Sequence, residues 1–315
     1  MGKLVFGVDV GGTTVKLGLF TEGGQLLSDW EIPTRKEENG KYIVDDIAQS
    51  IKERIEQDNI AEDDVAGIGI GVPGPVTPGG VVKGCVNLGW GDTAIEETLS
   101  DKTGYPVKAG NDANVAALGE LWQGGGKGED SLIMITLGTG VGGGIIVDGK
   151  IQTGTHGAAG EIGHMPVVYD ETETCNCGRK GCLEQVASAT GIVKEAKKLL
   201  AANDMPSSLR NYEDLTAKDI FEEAKAGDVL ALKTVDILGN YLGIALGHLS
   251  CIVDPDVYIV GGGVSKAGQF LIDVIKKFYT DRAFPACKNT PIRLATLGNS
   301  AGIYGAAKLA IDNAK

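Results

Sequence analysis

The chain has 315 residues, with 42 Asp and Glu against 29 Lys and Arg and a formal net charge of −13. That balance excludes a basic nucleic-acid-binding surface, because phosphate neutralisation needs positive charge. The length suits two domains with a sizeable core. Hydrophobic content of 43% is ordinary, whereas 48 glycines are about twice the usual share.

In chain order, residues 3–9 read as a buried strand, Gly11-Gly12-Thr13-Thr14 as a turn and residues 15–20 as a returning strand. Residues 25–32 suit a third strand. Residues 42–57 carry Ile43, Ile47, Ile51 and Ile55 at helical spacing. A strand over 65–72 must stop at Pro73-Gly74-Pro75. A short strand at 107–109 precedes a helix over 113–122.

The pattern then begins again. Residues 131–137 predict a strand, Gly138-Thr139-Gly140 a turn, and residues 142–147 a returning strand. Helical spacing dominates 190–202 and 229–251. A strand over 257–260 runs into Gly261-Gly262-Gly263, a helix starts near Lys266, and a strand at 292–295 precedes a last helix over 301–313. Two related α/β lobes follow from this repetition, each presenting a glycine turn whose N–H groups suit an anion.

No run of eighteen apolar residues occurs, so no membrane span is expected. The first residues form too short an apolar run for a signal peptide and include Asp9. Cys85, Cys251 and Cys287 show no pairing pattern, which fits a reducing cytoplasm better than a disulfide framework.

Chemistry concentrates at a few places. Cys175, Cys177 and Cys182 fall within eight residues, and His164 lies eleven before the first of them. Three thiols and an imidazole can close a tetrahedral structural zinc site; the other reading is a set of free cysteines in a surface loop. Glu161 and Glu184 flank these ligands, so a metal-pinned loop would hold both acids rigidly.

Asp9, at a strand end beside Gly11, Gly12 and Thr13, suits Mg²⁺ held directly or through water, and Lys16 on the returning strand adds charge or is solvated. Asn111-Asp112-Ala113-Asn114 stands at a strand-to-helix junction. It is either a helix N-cap or the place where an aspartate takes a proton from an attacking alcohol. Asn87, Asn111, Glu161, His164 and Glu184 together form a set suited to sugar hydroxyls, and taken one by one each reads equally as a surface polar group.

The pattern G-x-G-x-x-G occurs at 69–74 and 138–143, but neither copy runs from a strand into a helix. A dinucleotide fingerprint is therefore excluded, and no P-loop sequence is present. Gly261-Gly262-Gly263 is either an adenosine-facing loop or a tight turn.

Taken together, Cys177-Gly-Arg-Lys-Gly-Cys182-Leu-Glu184 and Glu161-Ile-Gly-His164 resemble the signature of the ROK family of bacterial sugar kinases and repressors. The likeness covers essentially the whole chain. Val86-Asn87-Leu-Gly-Trp90, Asn111-Asp112-Ala-Asn114 and Ala187-Ser-Ala-Thr-Gly191 are most similar to its glucokinases of the Gram-positive type.

The resemblance implies a two-lobed actin-like ATPase fold, of ribonuclease H-like type, with a cleft between the lobes. The expected lobes are residues 1–111 with 301–315, and residues 112–300 carrying the zinc loop. It also implies ATP with Mg²⁺ as donor, a hexose as acceptor, and a homodimer. Carried over by position, Asp112 is the catalytic base, and Asn87, Asn111, Asp112, Glu161, His164 and Glu184 contact the sugar. His164, Cys175, Cys177 and Cys182 hold zinc. Gly11, Gly12, Thr13, Gly138, Thr139 and Gly140 form phosphate turns, and Gly262 and Gly263 the adenosine loop.

A ROK repressor would carry a DNA-binding segment ahead of a strand that here starts near Lys3, and an intact Asp112 argues against a non-catalytic sugar sensor. Fructose, N-acetylglucosamine or N-acetylmannosamine as acceptor is the remaining alternative to glucose.

Overall fold

The computed structural model describes residues 2–314. The chain divides into two compact units: one up to Asp130 with Gly144–Ala159 and everything from Thr296, the other Ser131–Gly143 with Gly160–Ala295. In the first unit, β1 (Leu4–Val10), β2 (Thr14–Thr21) and β3 (Leu26–Pro33) follow one another as antiparallel neighbours. One turn, α1 (Glu37–Gly40), precedes α2 (Ile43–Gln57), which buries Ile43, Ile47 and Ile51 as its spacing requires. Then come β4 (Val65–Val72), the hairpin of β5 (Val81–Cys85) and β6 (Trp90–Ala94), α3 (Ile95–Thr103), β7 (Val107–Asn111) and α4 (Asp112–Gln123).

The strand order is β3-β2-β1-β4-β7, with β1, β4 and β7 parallel. β1 and β4 are almost wholly buried, hence their continuous apolar runs.

The next elements are β8 (Leu132–Leu137), β9 (Val141–Val147), β10 (Lys150–Ile151), α5 (Glu184–Ala187), α6 (Ala189–Ala202), α7 (Ala217–Lys225), α8 (Val229–Ile252), β11 (Val257–Gly261), α9 (Gln269–Thr280) and β12 (Ile292–Leu294). Their sheet runs β10-β9-β8-β11-β12, with β8, β11 and β12 parallel. Both sheets thus share one order, three strands joined by short turns and then two parallel ones, which the repeated strand–turn–strand theme implies.

The chain returns to the first unit as α10 (Ala301–Asn313), which packs on β1, β4 and α4. A Cβ on Gly69 would lie 1.7 Å from the Ala306 carbonyl oxygen, and one on Gly305 equally close to that of Val115. Glycine therefore lets α10 lie backbone to backbone on β4 and on α4.

Two expectations change. The lobe boundary at residue 112 does not follow the packing: α4 sits on α10, so it belongs to the first unit, as do residues 124–130, 144–159 and 296–300. A strand–helix junction is an element boundary, not a domain boundary. The helix expected from Lys266 starts at Gln269, because Gly268 has a φ of 75°. Helix α8 is long and apolar enough to cross a membrane by length and composition, but Leu238, Leu242, Ala245 and Leu246 are buried and the helix packs on α6, α7 and α9.

Candidate functional site

In the first unit the chemistry gathers at the carboxyl ends of parallel strands, where α/β sheets place reactive groups. Asp9 lies near the end of β1, opposite Lys16 on β2 and Gly71 on β4. The first turn of α10 crowds it: a Cβ on Gly302 would come within 2.4 Å of the Asp9 carboxylate. Burial, and then the negative charge of Asp112, raise the Asp9 carboxyl from an ordinary 3.8 to about 6, and Lys16 offsets part of this. Two mutually repelling acids are a donor set suited to a divalent cation. Lys16 itself donates to the Asn299 carbonyl at 3.1 Å.

The turn after β1 is tied down through its carbonyls. Thr34 donates its hydroxyl to the Gly11 oxygen (2.7 Å) and its N–H to the Thr13 oxygen (2.9 Å). A Cβ at Gly12 would sit 3.9 Å from the Lys36 ammonium, a cation beside the turn that sequence reading missed.

Both readings of the Asn111-Asp112 junction describe part of it. Asn111 is the N-cap of α4: its Oδ1 accepts from the N–H groups of Ala113 (3.1 Å) and Asn114 (3.3 Å), while its amide donates to the Gly74 oxygen (3.2 Å). Asp112 is the first helical residue, and its Oδ1 accepts from the Ala113 N–H at 2.8 Å. Asn87 stands exposed in the 3₁₀ turn Val86–Leu88 that joins β5 to β6.

In the second unit the turn between β8 and β9 is braced by the first residues of α6. Ala189 donates to the Gly138 oxygen (2.8 Å) and Thr190 to the Thr139 oxygen (2.7 Å). Glu184 closes the other side, its Oε2 accepting from the Val141 N–H at 3.0 Å. A Cβ at 140 would lie 2.1 Å from that oxygen, so a side chain there would displace the Glu184 carboxylate. Gly262, with a φ of 82°, presses on Leu137 just before the same turn. Gly263 opens onto a cavity of about 360 Å³ lined by Ala189, Lys218, Phe221, Lys225, Val264 and Lys266. Half of that lining comes from α7, which the sequence reading passed over.

His164, Cys175, Cys177 and Cys182 converge, their ligand atoms all within 4.8 Å of one another. Cys177 and Cys182 sulfurs are 3.5 Å apart, and the Cys175 sulfur is 3.8 Å from His164 Nδ1. A tetrahedral ion with bonds of ~2.3 Å to sulfur needs ligands about 3.8 Å apart, so the group is able to hold a metal. The backbone N–H of Arg179 lowers the Cys177 thiol to about 6, whereas burial pushes Cys182 up to about 12. The other nitrogen of His164 faces Glu161 at 3.9 Å, and Cys175 reaches Glu184 Oε1 at 3.9 Å. The cysteine loop and the β8–β9 turn are therefore linked through one carboxylate.

A model of the ROK family matches residues 5–313. The chain is 43% identical over 304 residues to a glucokinase of Halalkalibacterium halodurans, covering 95% of this chain and 92% of that one. Among solved structures it is similar to a ROK family glucokinase from Streptomyces griseus in complex with glucose and AMPPNP. There the identity is 36% and the TM-score 0.74, over 97% of this chain and 98% of the other. A ROK hexokinase from Thermus thermophilus matches with TM-score 0.83 and 31% identity, over 98% of each chain. This chain belongs to the ROK family, and its α/β architecture is that family's actin-like ATPase fold.

Proposed function

We propose that this protein is a glucokinase that transfers the γ-phosphoryl group of ATP to the 6-hydroxyl of glucose. The observation that carries the reading is Asp112 at the start of α4, beside Asp9, in a chain so similar to glucokinases along its length. Asp112 accepts the hydroxyl proton as the sugar oxygen bonds to phosphorus, and the bond to the ADP oxygen breaks. The β1–β2 and β8–β9 turns hold phosphate oxygens, and the cavity at Gly263 takes the adenosine. Mg²⁺, held by Asp9, supplies charge neutralisation on the phosphates.

Asn87, Asp112, Glu161 and His164 bind sugar hydroxyls. Asn111 and Glu184, whose polar atoms are partly committed to backbone, bind sugar while fixing the walls of the site. The metal at His164, Cys175, Cys177 and Cys182 is zinc with a structural role. Steady-state kinetics with glucose, fructose, N-acetylglucosamine and N-acetylmannosamine, each with ATP, ADP and polyphosphate, test the reading. The highest kcat/KM is expected for glucose with ATP; a preference for an amino sugar reassigns the acceptor.

The Asp9 carboxyl makes the Mg²⁺ requirement depend on pH. Its folded value lies above the ordinary 3.8, so in the cation-free protein ionising it lowers stability as pH rises from 3.8 to about 6. A bound cation must displace that proton. The Mg²⁺ concentration for half-maximal rate therefore rises as pH falls through about 6 and is level above it. A requirement that stays flat across that window removes Asp9 from the cation site.

The protein works in the cytoplasm, where its thiols stay reduced and its product enters glycolysis; cell fractionation checks this. It assembles as a homodimer through the second unit. Sedimentation equilibrium is expected to give twice the chain mass, and the single mass at all concentrations rejects the dimer.

A further inference from the structure

Asp112 opens α4, and eight residues on the same helix carries a second acid with no part in the chemistry above. Glu120 is fully buried. Its Oε2 accepts from the N–H of Gly125 at 2.8 Å, its Oε1 from that of Leu297 at 2.9 Å, and both oxygens from that of Thr296 at 3.1 Å. These amides lie on the two segments through which the chain leaves the first unit after Asp130 and re-enters it at Thr296. A third crossover, at Gly144, rests on the middle of the same helix, where a Cβ would be 2.6 Å from that of Ala117.

A buried carboxylate is expensive, and an apolar residue would fill the same space at lower cost. What an apolar residue cannot do is gather amides from two separate chain segments. We propose that Glu120 is a positioning residue for phosphoryl transfer. It fixes the helix bearing Asp112 to the points where the chain passes into and out of the second unit, so the base keeps one placement through the reaction. The proposal rests on the reading of Asp112 as base and of the Gly263 cavity as the nucleotide site.

Glu120→Gln keeps the volume but turns one acceptor into a donor that faces backbone N–H groups. The expected result is a fall in kcat for glucose phosphorylation on the order of 10²-fold, the scale of a small misplacement of a catalytic group. Calorimetric affinities for glucose and for a non-hydrolysable ATP analogue stay at the wild-type level. Amide hydrogen exchange at Gly125, Thr296 and Leu297 accelerates.

Gly124→Ala provides a second route, since its Cβ would lie 2.1 Å from Glu120 Oε2 and displace the carboxylate without altering charge. It should reproduce the same loss of kcat. An unchanged kcat per folded molecule in both variants, even with lowered thermal stability, overturns the role of Glu120. A parallel loss of nucleotide affinity does so as well. Wild-type protein that transfers nothing from ATP to glucose overturns the reaction itself instead.

Discussion

Asp112→Asn is expected to lower kcat for glucose phosphorylation by ~10²–10⁴-fold, the usual worth of a positioned general base. The substitution is conservative for structure. The asparagine oxygen still accepts from the Ala113 N–H, now 2.8 Å from Asp112 Oδ1, and Asn111 still caps α4. Glucose affinity should therefore remain near wild type, because only the proton acceptor is gone. A second readout comes with it. The charge of Asp112 helps hold the Asp9 carboxyl up at about 6, so its loss moves the pH dependence of the Mg²⁺ requirement toward lower pH. A near-normal kcat in Asp112→Asn would sink the base assignment whatever happens at Asp9.

Cys177→Ser should abolish metal binding and raise KM for glucose by ~10–100-fold, the range found when the support of a metal-held group is removed. Elemental analysis of wild-type protein purified without added metal should find one equivalent of zinc per chain, and the variant none. The reasoning runs through neighbours of the ligands. Glu161 faces the free nitrogen of His164, and Glu184 follows Cys182 by two residues. Because Glu184 also accepts from the Val141 N–H, loosening this loop frees one wall of the β8–β9 turn. KM for ATP should then rise together with KM for glucose. Full activity in a zinc-free preparation rejects the structural role.

Much of this architecture was legible in the residues. β4 spans Val65–Val72 as its apolar run and the following prolines require, and α10 spans Ala301–Asn313 as its pattern does. The hairpin of β5 and β6 was not legible, since Val81–Cys85 and Trp90–Ala94 are short and broken by glycine and polar residues. α3 has only Ile95 and Leu99 buried, too few to show a period. α7 did carry a readable signal: the capping box of Thr216 and Asp219, followed by Ile220, Phe221 and Ala224 on one face.

At the candidate site, residue types sufficed to pick out His164, Cys175, Cys177 and Cys182 as a group, and the structure brings their ligand atoms within 4.8 Å of one another. They could not show that Asn111 also donates to the Gly74 oxygen, that Glu184 accepts from the Val141 N–H, that Lys36 comes beside Gly12, or that Glu120 collects amides from far along the chain. Each of those depends on contacts between distant segments, to which local pattern is blind. The glycine clusters suggest turns and close approach to ligands, yet Gly69 and Gly305 are points where α10 closes on β4 and α4.

That backbone-to-backbone seat of α10 has a consequence for how the chain is made. The cluster of Val5, Phe20, Ile303, Ala307, Ala310 and Ile311 joins the first strands to the last helix. During synthesis, residues 4–123 emerge long before α10, so one face of their sheet stays bare while residues 131–295 are being added. The segment translated in the middle can complete its own core on the ribosome, whereas the one begun first must wait for the last helix. During that interval the exposed face of β1 and β4 is where a chaperone would be needed.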